Sequence, residues 1–101
     1  MELRENQKKL AADHRNAKYK FILTELDLAL TFCEMAITTK NEAKLKRNTK
    51  NARLAYNAAT HFMEHAGFSE RMETHVQEKL GRLRTMLKQL NGRCSILLRA
   101  L

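Results

Sequence analysis

Residues 19–38, YKFILTELDLALTFCEMAIT, constrain the fold of this chain more than any other stretch. Lys20, Thr24, Asp27, Thr31, Glu34 and Thr38 recur at alternating steps of four and three. At 3.6 residues per turn this spacing stacks them into one narrow polar stripe. Nearly everything between them is apolar, so the dry arc spans about 240°, against roughly 100° for an ordinary surface helix. A helix of this kind has to be covered on more than one side.

The rest of the chain is written for helices. It contains no proline and three glycines in 101 residues, and no β-branched run of strand length, so the fold class is all-α. The length suits one domain with a modest core. MELRENQKKL at the start is charged and lacks the apolar centre of a signal peptide. No apolar run approaches the roughly 18 residues of a membrane span, so no membrane partner is expected. Cys33 and Cys94 both fall in helical apolar phases, as small buried hydrophobes of a reducing compartment, and the expected location is cytoplasmic.

Three helical segments of equal length emerge. Helix 1 is expected over about 14–38, preceded by a polar extension, residues 1–13, that frays or continues it. Thr39 to Glu42 fits a capping box for the next helix, with Asn41 alternatively a left-handed stop for the first. Helix 2 is expected over about 42–66, with Leu45, Ala52, Ala55, Tyr56, Ala59, Phe62, Met63 and Ala66 on one face. Its alanines permit a close approach to helix 1. Ala66-Gly67-Phe68 reads as a Schellman stop with Phe68 folding onto Met63, and Ser69 as the N-cap of helix 3. Val76, Leu80, Leu83, Leu87 and Leu90 then repeat at four–three spacing. Asn91-Gly92 is a strong stop signal, so helix 3 is expected to end near 93 and leave a short C-terminal tail, 94–101, although Cys94, Leu97 and Leu101 keep the phase. Short connections make this an antiparallel three-helix bundle, with 1–13 overhanging one end and the tail the other.

Charge alternates in blocks along a chain of net charge +8. The first turns of helix 2 (Lys44, Lys46, Arg47, Lys50 and Arg53) lie at the same end of the bundle as Arg82, Arg84, Lys88 and Arg93 of helix 3. They form a candidate basic pole for phosphate, and nucleic acid is the alternative partner. Base reading or strand stacking also wants exposed aromatics, and the six aromatics here look core-facing or interface-facing. Glu25 sits on the apolar arc of helix 1, where a salt bridge to an arginine of helix 2 or 3 is expected.

His61-Phe62-Met63-Glu64-His65 matches the H-x-x-E-H pattern of inverzincin metallopeptidases. With Phe62 and Met63 on the core face, His61 and Glu64 are expected to point to water, and no second domain is expected to enclose a substrate. His61 and His65 therefore remain a weak candidate for metal. No other positioned pair of reactive groups appears, so neither catalysis nor a cofactor is expected.

The hairpin pattern Ala29…Ala36, then Ala52-x-x-x-Tyr56-x-x-Ala59-x-x-Phe62, resembles tetratricopeptide hairpins over residues 26–66. With a third helix of equal length it also resembles microtubule-interacting-and-transport (MIT) domains, which are three-helix bundles. The resemblance implies a groove that holds another helix or peptide, without catalysis.

Two neighbours cover only part of helix 1. If they take the seam Ile22, Leu26, Ala29, Cys33, Ala36 and its widening at Leu23, Leu30 and Ile37, the stripe Phe21, Leu28, Phe32 and Met35 is left bare. Such a patch is large for a free surface. The expected function is accordingly a non-catalytic interaction or scaffold module. Its partner on this stripe is a second copy forming a homodimer, or another protein. Ile96, Leu97 and Leu98 folding back are the competing cover.

Overall fold

The protein is an antiparallel bundle of three helices, α1 (Glu2–Thr38), α2 (Glu42–Met63) and α3 (Glu70–Ala100), seen in a computed structural model. It describes the backbone of residues 2–100 and the side chains of residues 6–93. Among the described residues there is no strand. The expectations for Cys94 and for Ile96, Leu97 and Leu98 as a cover fall on side chains outside the described set.

The core follows from residue size. Ala29 and Ala36 of α1 and Ala52, Ala55 and Ala59 of α2 are all buried, so these two backbones approach closely and share the largest interface in the bundle. The larger Val76, Leu80, Leu83, Leu87 and Leu90 of α3 are buried as well, completing one cluster with Ile22, Leu26 and Leu45. Contact between α2 and α3 is slight, so α1 is the element both others depend on. Its polar stripe faces water, and Thr24, Thr31 and Thr38 each donate their hydroxyl to the carbonyl four residues back, at 2.9, 3.0 and 3.0 Å.

The helix ends depart from expectation in three places. Between α1 and α2 there is no capping box. Asn41, at φ −90°, is the N-cap, and its Oδ1 accepts from the Lys44 amide at 3.1 Å. The Thr39 hydroxyl accepts from the Asn41 amide at 3.2 Å and so serves the turn. The side-chain oxygen of Asn41 is two residues closer than that of Thr39 to the amides that need an acceptor.

At the other end α2 stops at Met63, three residues early. His65 and Gly67 both take left-handed backbone, φ 57° and 67°. Phe68 crosses to α1, where its ring meets that of Tyr19 edge-on at 5.6 Å between centroids. Reaching Tyr19 requires the chain to leave α2 before a Schellman turn can close. Ser69 caps α3 as the sequence indicates, its Oγ accepting from the Met72 amide at 3.3 Å.

The third departure is the length of α3, which runs through Asn91-Gly92 to Ala100. Asn-Gly stops a helix when its glycine turns left-handed; here Gly92 keeps helical backbone, held by contacts on either side. Leu90 is buried in the core, and Arg93 is bonded to the end of α1. With the helices so placed, the bundle measures 67 × 21 × 18 Å. The turn at Phe68 lies level with Tyr19, so α1 projects past its neighbours over roughly its first dozen residues. Arg93 lies level with the end of α1, so residues 94–100 of α3 project at the opposite end.

Gly67 and Gly81 test this backbone description in opposite directions. A Cβ at either position meets nothing within 4 Å, and only Gly67 has positive φ. Urea unfolding is expected to show Gly81→Ala more stable by about 0.5–1 kcal/mol. The same measurement is expected to show Gly67→Ala less stable by about 1 kcal/mol or more.

Candidate interaction face

One flank of α1, beside α2, carries most of the large apolar residues the bundle leaves uncovered; Ile37, expected under a neighbour, is also exposed, on another side of the helix. Phe21 and Leu28 are each 43% exposed and Met35 is 49% exposed, and the three follow one another at seven-residue intervals on one side of the helix. Phe32, in the same stripe, is half-buried and packs against the core. The α2 side adds Phe62, which lies edge-on to Phe21 at 5.0 Å between centroids. Phe62 was expected in the core. The alanine contact brings α2 so close to α1 that a ring at position 62 has no room between them and moves to the edge. Leu54 of α2 is also exposed. Phe21 and Phe62 form one wall of an open hollow of about 450 Å³, completed by His14, Ala17 and Lys18.

Glu25 lies between this stripe and α2, half-buried, and no cation stands within salt-bridge distance of it among the described residues. The arginines expected to meet it are engaged or placed elsewhere. The one ion pair found among the described residues joins Asp27 of the polar stripe to Lys79 of α3.

The basic residues do not converge on a single pole. Lys46, Lys50 and Arg53 line a shallow hollow of about 210 Å³ on α2 with Thr49. Helical spacing places Lys44 and Arg47 on the other side of α2, toward the apolar flank. Arg84 donates from Nε to the Tyr56 hydroxyl at 3.2 Å across α2 and α3. Lys88, one turn on from Arg84, is exposed on that side, whereas Arg82 points away from it. Arg93 is a cap. Its Nη1 donates to the carbonyls of Ala36 and Ile37, each at 2.7 Å, and its Nη2 to that of Thr39. These carbonyls lie at the end of α1, where no further turn exists to satisfy them and where the helix dipole favours a cation. Nothing in the sequence pairs residue 93 with residue 36, so this role was hidden until the helices were docked.

The H-x-x-E-H string does not form a helical face. His61 is in the last turn of α2, while His65 lies beyond its end with left-handed backbone, and both are exposed. His75 is bonded to the Tyr19 hydroxyl at 2.6 Å. Among the described residues no group of three or more His, Cys, Asp or Glu side chains is arranged to hold a metal ion. The Cys33 thiol is buried, and its pKa is pushed up to about 11, first by loss of solvation and then by the neighbouring Glu34 carboxylate. No helix is long and apolar enough to cross a membrane among the described residues. Comparisons with protein-family models, curated proteins and solved structures gave no match.

Arg93→Ala is expected to lower stability by about 1–2 kcal/mol in urea titration, with Arg93→Lys recovering only part of it because an ammonium lacks the planar fork. In a Cys94→Ser background, Cys33 is expected to resist iodoacetamide at pH 8 in the folded protein and to react on unfolding. Because its folded pKa is raised, the protonated thiol favours the folded state, and this contribution is lost as pH climbs from the unfolded thiol's value toward about 11.

Proposed function

We propose that the protein is a non-catalytic helical interaction module, sited in the cytoplasm, that associates with itself or with another protein's helix along the flank Phe21, Leu28, Phe32 and Met35. The observation that carries this reading is the exposure of Leu28 and Met35 in line with Phe21 on α1, the most apolar of the three helices, with Phe62 of α2 beside Phe21. Large apolar side chains in a row beside a rigid two-helix wall suit an amphipathic helix, whose anchors recur at the same spacing. The alanine-lined hairpin makes that wall stiff, which limits the ordering cost of binding.

Lys46, Lys50 and Arg53 support a second reading, attachment to a nucleic-acid backbone. They stand on a different side of α2 from the apolar flank, so the two readings separate by mutation. The Leu28→Glu, Met35→Glu double variant is expected to abolish protein association with the fold retained by circular dichroism. The Lys46→Gln, Lys50→Gln, Arg53→Gln variant is expected to leave that association within about twofold. Binding to arbitrary duplex DNA or RNA that falls steeply with salt and is lost only in the second variant would replace the first reading by the other.

A further inference from the structure

The apolar flank belongs to a longer seam. Starting at Leu10, steps of four and three run without interruption to Thr38, about 42 Å along α1. Every position of that seam is exposed. Its apolar members are Leu10, Ala17, Phe21, Leu28 and Met35; the others are His14 and the three threonines. Those threonine hydroxyls already donate within α1, so covering them strands no donor. The seam therefore has the four–three order of a coiled-coil face and few groups whose burial is penalised.

Resting on the reading of this flank as a docking face, we propose that its occupant is α1 of a second copy, packed antiparallel about a two-fold axis near residues 21–24. The argument is charge order. Beside the seam, Lys18 and Lys20 precede Glu25 and Asp27, so the two halves of the face carry opposite signs. In antiparallel register residue n faces about 45 minus n. On the flanks the two-fold brings like side to like side about two residues off that line, so Lys18 stands opposite the partner's Glu25, and Lys20 opposite the partner's Asp27, each pair occurring twice by symmetry. Glu25, half-buried and with no cation at salt-bridge distance among the described residues, acquires one.

Sizes agree with this register. Leu10, 57% exposed on the projecting part of α1, meets the partner's Met35 on the body of the bundle. Ala17 meets the partner's Leu28, and Phe21 the partner's Thr24, so large faces small. Each projecting segment gains a neighbour along the partner's body; a parallel pairing leaves the two projections with only each other. The opposing helix dipoles also run in the favourable sense. One like-charge meeting results, Asp13 with the partner's Glu34, at exposed positions where solvent screens it.

The test is a charge swap read by sedimentation equilibrium of the full chain, with folding checked by circular dichroism and melting midpoint. Lys18→Glu alone and Glu25→Lys alone are each expected to weaken the dimer on the order of tenfold, because symmetry repeats every repulsion. The Lys18→Glu, Glu25→Lys double variant is expected to return to within about threefold of wild type. A dimer weakened by both single changes and not rescued by the double change overturns the antiparallel register. A dimer indifferent to all three, and to Leu28→Glu, overturns the docking face itself. A wild type that stays monomeric at millimolar concentration overturns self-pairing; if a partner protein's binding is still lost with Leu28→Glu, the interaction reading survives that failure.

Discussion

The structure depends on one mismatch: the apolar arc of α1 is wider than two helices can cover. Its consequences can be followed residue by residue. α2 takes the position where small residues allow the closest contact, Ala29 and Ala36 against Ala52, Ala55 and Ala59. α3 takes the next position with longer side chains, and these hold it farther out, with little contact to α2. The remainder of the arc, from Phe21 to Met35, has no element left to cover it among the described residues. An exposed Leu or Phe is unremarkable singly; a row of them on the helix that anchors the whole core calls for an occupant.

The same docking decides where helices begin and end. Arg93 reaches three carbonyls at the end of α1, and in doing so fixes the height of α3 and carries it through Gly92 as helix. At the other end Phe68 and His75 both engage Tyr19, which draws the turn after α2 toward α1 and costs α2 its last turn. Two contact points, one at each end of the bundle, thus hold α3 in register along α1, with the Lys79 to Asp27 ion pair between them.

This explains which features were legible in the sequence. The number, order and phase of the helices follow from periodicity, a property of each segment alone, and Leu45, Ala52, Val76, Leu83 and Leu90 are buried as their spacing requires. Ser69 was legible for the same reason, since a cap acts on its own first turn. The end of α2, the continuation past Gly92 and the engagement of Arg93 depend on residues about fifty positions away or more, beyond any local pattern. Phe62 shows the intermediate case. Its helical phase was read correctly, yet the tightness of the alanine contact, not the phase, determines whether a large ring at the edge of a face goes in or out. Glu25 likewise looked like one half of a buried ion pair because its arc position was legible and the destinations of the arginines were not.

If α1 is an interface along its seam, its projecting first part is a helix with one purpose, since an isolated helix of about a dozen residues is marginal in water. Amide hydrogen exchange over residues 8–17, followed as protein concentration is raised, tests this most directly. The account predicts fast exchange in dilute solution and protection that grows with concentration in step with the protection of amides near Leu28 and Met35. Exchange over residues 8–17 that is fast at every concentration, or slow at every concentration, would contradict it.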